Sequence, residues 1–214
     1  MDFAGAGIVL TTGRGRCAIK NFMPHLTIHT PLGEITLFEG PGQDDAAGSG
    51  AIVALDWGRA HWPDSLPPEP ATPLLREAAR QLQDYFDGRR LEFDLPLAPE
   101  GSAFRRQVWD ALCRIPPGQT RSYLDIAREI GCRSPRAIGQ ANGSNPIPIL
   151  IPCHRVVAAD GTLGGYSGGD GAATKRFLLA LEARAATGAR AGELPLAPPQ
   201  PELPPCGQHQ GTPR

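Results

Sequence analysis

The spacing of apolar residues changes once along this chain of 214 residues, and that change limits the folds open to it. Leu26-Thr27-Ile28-His29 and Glu34-Ile35-Thr36-Leu37-Phe38 alternate apolar with polar around Thr30-Pro31-Leu32-Gly33. This is the pattern of two strands joined by a tight turn. A third strand is predicted over Ile52–Leu55, and Trp57 to Pro73, with five prolines, reads as irregular. Then Leu75, Ala78, Leu82, Tyr85 and Phe86 take up helical spacing, which Gly88 stops. After the proline-bearing stretch 94–101 every periodic segment is helical. Phe104, Val108, Leu112 and Ile115 mark a helix ended by Pro116-Pro117-Gly118. Tyr123, Ile126, Ala127 and Ile130 share one face of the next, which opens on the capping box Ser122-Tyr123-Leu124-Asp125 and closes at Gly131. Ser134-Pro135 starts a third, and Phe177, Leu178, Leu181 and Ala185 mark the last. An α+β fold follows, with an α/β unit over 25–93, a linker over 94–101 and a mostly helical unit over 102–186. Residues 1–24 read as a flexible leader, and the Pro/Gly/Gln-rich 187–214 as a disordered tail.

No run of about 18 apolar residues is present to span a membrane, and Met1 to Phe22 lacks the basic start and apolar core of a secretory signal. A cytoplasmic protein is therefore expected. The five cysteines, Cys17, Cys113, Cys132, Cys153 and Cys206, are odd in number, scattered and never paired as C-x-x-C. That spacing argues against a disulfide framework and a zinc knot.

The net charge of −1 conceals an asymmetry. Residues 1–101 carry 8 basic against 14 acidic side chains, whereas residues 102–157 carry 8 arginines against 3 acidic residues and no lysine. Such a segment suits contact with phosphates, and a solvated face is the other reading of it. The turn Gly131 to Arg133 between two helices has helix-turn-helix proportions. The second of these helices is thin, with Ala137, Gly139, Ala141 and Gly143. Small residues let a backbone approach closely either a neighbouring helix or a groove of DNA, into which Arg136 at the helix start could reach.

The arginine-rich segment ends on Pro152-Cys153-His154-Arg155-Val156-Val157, after the apolar run Ile147 to Ile151. A thiol is a poor nucleophile, and an adjacent histidine behind a proline-stiffened approach is a means of making a thiolate; a buried Cys-His pair serves equally as packing. Downstream, Gly161, Gly164, Gly165, Gly168 and Gly169 surround Tyr166 and Ser167 in what reads as a mobile loop able to close over a ligand.

From Phe104 to Glu182 the chain closely resembles the O6-alkylguanine-DNA alkyltransferases. The resemblance rests on Asn145-Pro146 through Pro152-Cys153-His154-Arg155-Val156, with F-x-x-x-V-W at Phe104–Trp109, P-x-G-x-x-x-S-Y at Pro116–Tyr123, R-A-[IV]-G-x-A at Arg136–Ala141 and L-L-x-x-E at Leu178–Glu182. The N-terminal part is similar in its hairpin, in Tyr85-Phe86 and in Phe93-Asp94-Leu95-Pro96-Leu97. The resemblance implies a ribonuclease-H-like N-terminal domain and a winged-helix-like C-terminal one. It further implies direct reversal of O6-methylguanine, with O4-methylthymine left open, the alkyl group passing irreversibly to Cys153.

In such proteins His154, oriented by Glu182, takes the cysteine proton through a water, and Tyr123 protonates the leaving guanine. Asn145, Val156, Tyr166 and Ser167 would hold the base. Ser122, Arg136, Ala137, Ala141 and Gly143 would contact double-stranded DNA in the minor groove, with Arg136 filling the space of the flipped base; Arg155 would tie its segment to the fold. Pro135 directly precedes Arg136, in a turn one residue shorter than the family pattern. Some relatives bind zinc through N-terminal Cys/His ligands. Here Cys17 is that region's one cysteine, and His25, His29 and His61 read as surface residues, so no metal is expected. No cofactor and no stable protein partner are expected either, the chain acting as a monomer.

Overall fold

The computed structural model describes residues 23–42, 50–58 and 71–187. Nearly all of the predicted leader, most of the irregular stretch after Trp57 and nearly all of the predicted tail lie outside the described residues. The hairpin forms as the alternation predicts. His25–Thr30 (β1) and Gly33–Pro41 (β2) pair antiparallel with Leu26 opposite Leu37 and Ile28 opposite Ile35, and Gly50–Trp57 (β3) pairs with the other edge of β2. Gly33 takes the left-handed backbone (φ 93°) that the two-residue turn requires. One face of the sheet, with Ile35, Leu37, Ile52 and Leu55, packs on Leu75, Ala78 and Leu82 of Pro73–Phe86 (α1). Thr72 caps α1 by accepting from Leu75 N (3.1 Å), Pro73 sits in its first turn, and Gly88 follows its end with φ 73°.

The stretch 94–101 is no free linker. Ile52 N donates to Pro96 O (2.8 Å) and Ala98 N to Ile52 O (3.0 Å), which sets Leu97 parallel to Ile52 on the outer edge of β3. The missing N–H of each proline falls where this short ladder needs no donor.

The C-terminal unit is built from Ala103–Cys113 (α2), Arg121–Ser122 (β4), Tyr123–Glu129 (α3), Pro135–Gly143 (α4), a 3-10 turn at Cys153–Arg155, Val156–Val157 (β5) and Ala172–Thr187 (α5). The predicted capping box is present: Ser122 Oγ accepts from Asp125 N, and Asp125 accepts from Ser122 N. In α2 the buried stripe begins at Val108, whereas Phe104, read from its spacing as part of that stripe, is 37% exposed, because α2 meets its neighbours only after its first turn. Trp109 Nε1 donates to Ala141 O (2.9 Å) and locks α2 to α4. The parallel pair β4–β5, two residues each, is too short to leave a sequence pattern, yet it sets Ser122 beside Val157 and so brings the start of α3 to the cysteine turn.

Candidate active site

The approach to Cys153 is held from both sides. Leu55 N of β3 donates to Pro146 O (2.9 Å), so the N-terminal sheet grips the segment directly. Asn145 Nδ2 donates to Ile151 O (2.8 Å) and its Oδ1 accepts from Ile147 N (3.0 Å). Ile149 adopts φ 74°, a conformation strained for a β-branched residue and held by complete burial of the run Ile147 to Ile151. At Pro152 (φ −80°, ψ 61°) Cys153 N donates back to Ile151 O (2.8 Å), an inverse γ-turn that the proline ring favours by fixing φ. These constraints deliver Cys153, 4% exposed, to the first position of the 3-10 turn.

Behind the cysteine lies a buried polar cluster centred on Glu182, which is wholly buried. Its carboxylate accepts from His154 Nε2 (2.8 Å), Arg155 Nε and Nη2 (2.9 Å each), Tyr85 Oη (2.9 Å) and Gly118 N (3.2 Å). Burial works against its charge, but the bonds from His154 and Arg155 outweigh burial and hold its pKa at about 2. An ionised Glu182 accepts only, so the proton of neutral His154 sits on Nε2 and Nδ1 presents a bare lone pair. That Nδ1 is buried without a partner among the described residues. Burial also keeps the imidazole neutral, lowering its pKa against the pull of Glu182. Arg155, whose Nη1 donates to Ile115 O (2.6 Å), is tied to the fold.

The glycine-rich loop after the cysteine makes hydrogen bonds to its neighbours at several points. Ser167 Oγ donates to Gly143 O (3.2 Å), and Asp170 N to Thr174 Oγ1 (3.0 Å). Lys175, fully buried on α5, donates to Val156 O (2.6 Å) and to Leu163 O, tying β5 to the middle of the loop. Burial brings its pKa down to about 8. Burial raises the Cys153 thiol, and Asn145, Tyr166 and the Lys175 charge each pull it back toward ionisation. The Tyr166 hydroxyl, without a hydrogen bond of good geometry, lies buried beside the sulfur, which keeps the phenol protonated.

Tyr123 opens α3 half-buried, its ring near Gly139 of α4 and its hydroxyl near Gly164 of the loop. Burial, then the cysteine, raise its pKa and preserve it as a donor. Arg136 and Gly143 lie exposed on α4, and nothing occupies the space a Gly143 side chain would enter. One of the predicted contacts needs correction, and two others already make hydrogen bonds within the protein. Ala141 is buried at 2% exposure and turns toward Trp109, because residues 138, 141 and 142 share the inward face of α4. Ser122 spends its hydroxyl inside the capping box, donating to Asp125 Oδ2 (2.7 Å). Asn145 bonds its own segment through both amide atoms, bracing the approach to the cysteine, and also favours the Cys153 thiolate. Ala137 is half-buried, and its N–H is taken by the Ser134 cap.

The sequence reading assigned no role to Lys175 or Tyr85, which the fold brings to the site. For Lys175 a signal existed, since it and Lys20 are the chain's only lysines among 21 basic residues.

Fold and site together define a two-part α+β protein that buries a cysteine next to a hydrogen-bonded histidine–glutamate pair. Residues 23–99 match the family model described as 6-O-methylguanine DNA methyltransferase, ribonuclease-like domain, and residues 103–184 match its DNA binding domain. The chain is 42% identical over 161 residues to the constitutive methylated-DNA--protein-cysteine methyltransferase of Bacillus subtilis, covering 74% of this chain and 94% of that one. It is 57% identical over 110 residues to the enzyme of the same name from Methanosarcina barkeri, covering 51% and 68% of the two. A crystal structure of Mycobacterium tuberculosis OGT in complex with DNA superposes with a TM-score of 0.61 at 43% identity, covering 75% of this chain and 93% of that one. The chain belongs to the methylated-DNA--protein-cysteine methyltransferase family and is an enzyme of that class.

Proposed function

We propose that the protein repairs DNA by direct reversal, moving the alkyl group of O6-methylguanine onto Cys153 in a reaction each molecule performs once. The observation that carries this reading is the bare, buried Nδ1 of His154, held in that tautomer by Glu182 beside a buried cysteine. A water passes the Cys153 proton to Nδ1. The thiolate then attacks the alkyl carbon in line, the C–S bond forms as the carbon–O6 bond breaks, and the guanine leaves with the electron pair. Tyr123, kept protonated by burial, donates its proton to the ring nitrogen of the leaving base. A thioether is not hydrolysed under cellular conditions, so no turnover follows.

The lesion reaches this pocket by base flipping, at an unstacking cost of a few kcal/mol that weakened pairing of the alkylated base lowers. The helix-turn-helix of α3 and α4 enters the minor groove of double-stranded DNA, Arg136 takes the vacated space, and the backbone around Cys153 and Val156 with Tyr166 and Ser167 holds the base. The DNA complex of the Mycobacterium tuberculosis relative supports binding through this fold. Among the described residues no helix is long and apolar enough to cross a membrane; a monomer working in the cytoplasm fits this reading.

Intact-protein mass spectrometry after incubation with a duplex bearing one O6-methylguanine tests it. A gain of one methyl group on the peptide containing Cys153, absent from Cys153→Ala, is the expected result. An unchanged mass with preferential binding to the damaged duplex would make the chain a lesion sensor, and an unchanged mass without such binding would overturn the reading altogether.

A further inference from the structure

The Tyr85-Phe86 pair closes α1 in the N-terminal unit, 97 residues before the carboxylate it touches. Its ring packs beside Phe86 (5.5 Å between centroids) and Phe93 (5.3 Å) in a setting that a phenylalanine would fill equally well. What a phenylalanine lacks is the hydroxyl. That hydroxyl, on a residue with no exposed surface, donates to Glu182 Oε1, the same oxygen that receives His154 Nε2. A buried phenol must find an acceptor, and this one takes the relay carboxylate.

Resting on the reading above, we propose that Tyr85 is a positioning residue of alkyl transfer: the N-terminal unit sets the orientation and basicity of His154 through the Tyr85–Glu182 hydrogen bond. Tyr85 draws electron density from the oxygen that His154 leans on, and so limits how far Glu182 can stabilise imidazolium. The other groups facing these side chains are Arg155 from the 3-10 turn, Gly118 N from the turn after α2, Lys175 from α5 and the Tyr166 phenol from the loop before α5. Arg155 and Gly118 N are further donors to Glu182 and remain when the phenol is removed. Removing it leaves a stronger acceptor, on which His154 holds a proton more readily, and an imidazole less firmly aimed.

The test is the single-turnover rate of methyl transfer from a duplex bearing one O6-methylguanine, measured across pH in the full chain with Tyr85→Phe. The plateau rate is expected to fall about tenfold, the lower end for an outer partner of an oriented histidine. The acid limb should move up by roughly half a pH unit, the equivalent of one neutral hydrogen bond. Replacing Tyr85 by 3-fluorotyrosine, a stronger donor of nearly the same shape, should move the limb the opposite way. Phe86→Leu perturbs the same end of α1 without touching Glu182; it should lower Tm and leave the limb in place. A limb unmoved in both Tyr85 variants, or moved equally by Phe86→Leu, overturns the proposal. If the wild-type chain transfers no methyl group at any pH, the alkyltransferase reading itself has failed.

Discussion

The two sides of Cys153 are built to opposite rules. Behind it, Glu182 accepts five hydrogen bonds, Lys175 caps two carbonyls and Arg155 bridges α5 to the end of α2, all of them buried. In front, α4 turns Arg136, Gln140 and Gly143 outward, and Arg136 forms no hydrogen bond or ion pair with the described residues. Saturation behind the sulfur fixes protonation states and geometry before any substrate arrives; unspent groups in front are what an incoming polyanion can use. The chain divides its charged residues accordingly, engaging some in the buried cluster and leaving Arg136 exposed and unpaired among the described residues.

Breaking the rear side should cost most. Glu182→Gln keeps the shape but brings an N–H₂ group against donors from Arg155 and Gly118 and leaves the guanidinium without its counter-charge. A loss of about 3 kcal/mol or more in stability is expected from unbalancing a buried ion pair. Methyl transfer should slow by about a hundredfold or more, since His154 loses both its tautomer and its support. Denaturant unfolding and single-turnover kinetics check the two effects. A variant that retains wild-type rate would show that Glu182 serves the fold alone.

On the front side the largest effect belongs to Arg136→Ala. Because this side chain is exposed and unpaired among the described residues, Tm should stay within about 1 °C of wild type, as for most exposed substitutions. Reaction with the damaged duplex should slow about tenfold, whereas reaction with free O6-methylguanine base, which needs no flipping, should be unaffected. An equal loss on both substrates would place Arg136 in the chemistry instead of in DNA handling.

Acid should separate the two sides by titration. The Glu182 pKa lies at about 2 against an ordinary 4.5, so its contribution to stability is complete above about 4.5 and is lost as pH falls toward 2. His154 is held below its ordinary 6.5, so the unfolded chain takes up that proton first and stability declines from about 6.5 downward. Both act in the same direction. Tm should therefore fall by roughly 5 °C between pH 7 and pH 4, and Arg136→Ala should run parallel to wild type throughout. A flat Tm over this range would mean that the rear cluster is not coupled to folding.

Legibility in the sequence follows the same division of local from distant. The hairpin, the capping box at Ser122 and Asp125, and the proline-stiffened cysteine segment could all be read because each is set by neighbours along the chain. The strand-like pairing of Leu97 with Ile52 and the bond from Tyr85 to Glu182 could not, since contacts across tens of residues leave no period behind. Ala141 was misread for a geometric reason. Alternate small residues at 137, 139, 141 and 143 resemble one thin surface in the sequence, but positions two apart lie about 200° apart around a helix, so Ala141 points inward while Gly143 points out. Lys175 carried a compositional signal and no positional one; only the fold shows that its ammonium ties Val156 to Leu163.

The finest test of the contrast is one substitution made on each side. Gly118 has φ 74°, a side chain there would lie 3.0 Å from Ala186 Cβ, and its N–H serves Glu182. Gly118→Ala should therefore cost about 1–2 kcal/mol, the price of left-handed backbone in an L-residue, and slow transfer with it. Gly143 ends α4 with open space beyond it. Gly143→Ala should leave Tm unchanged or raise it slightly, alanine being better than glycine in a helix by up to about 1 kcal/mol. If α4 lies in a minor groove only about 6 Å wide, that same methyl group should weaken binding to duplex DNA by about threefold. Stability and affinity then move apart at Gly143 and fall together at Gly118. A Gly143→Ala protein that binds duplex as tightly as wild type would free this end of α4 from the interface and shift DNA contact toward Arg136 and the start of the helix.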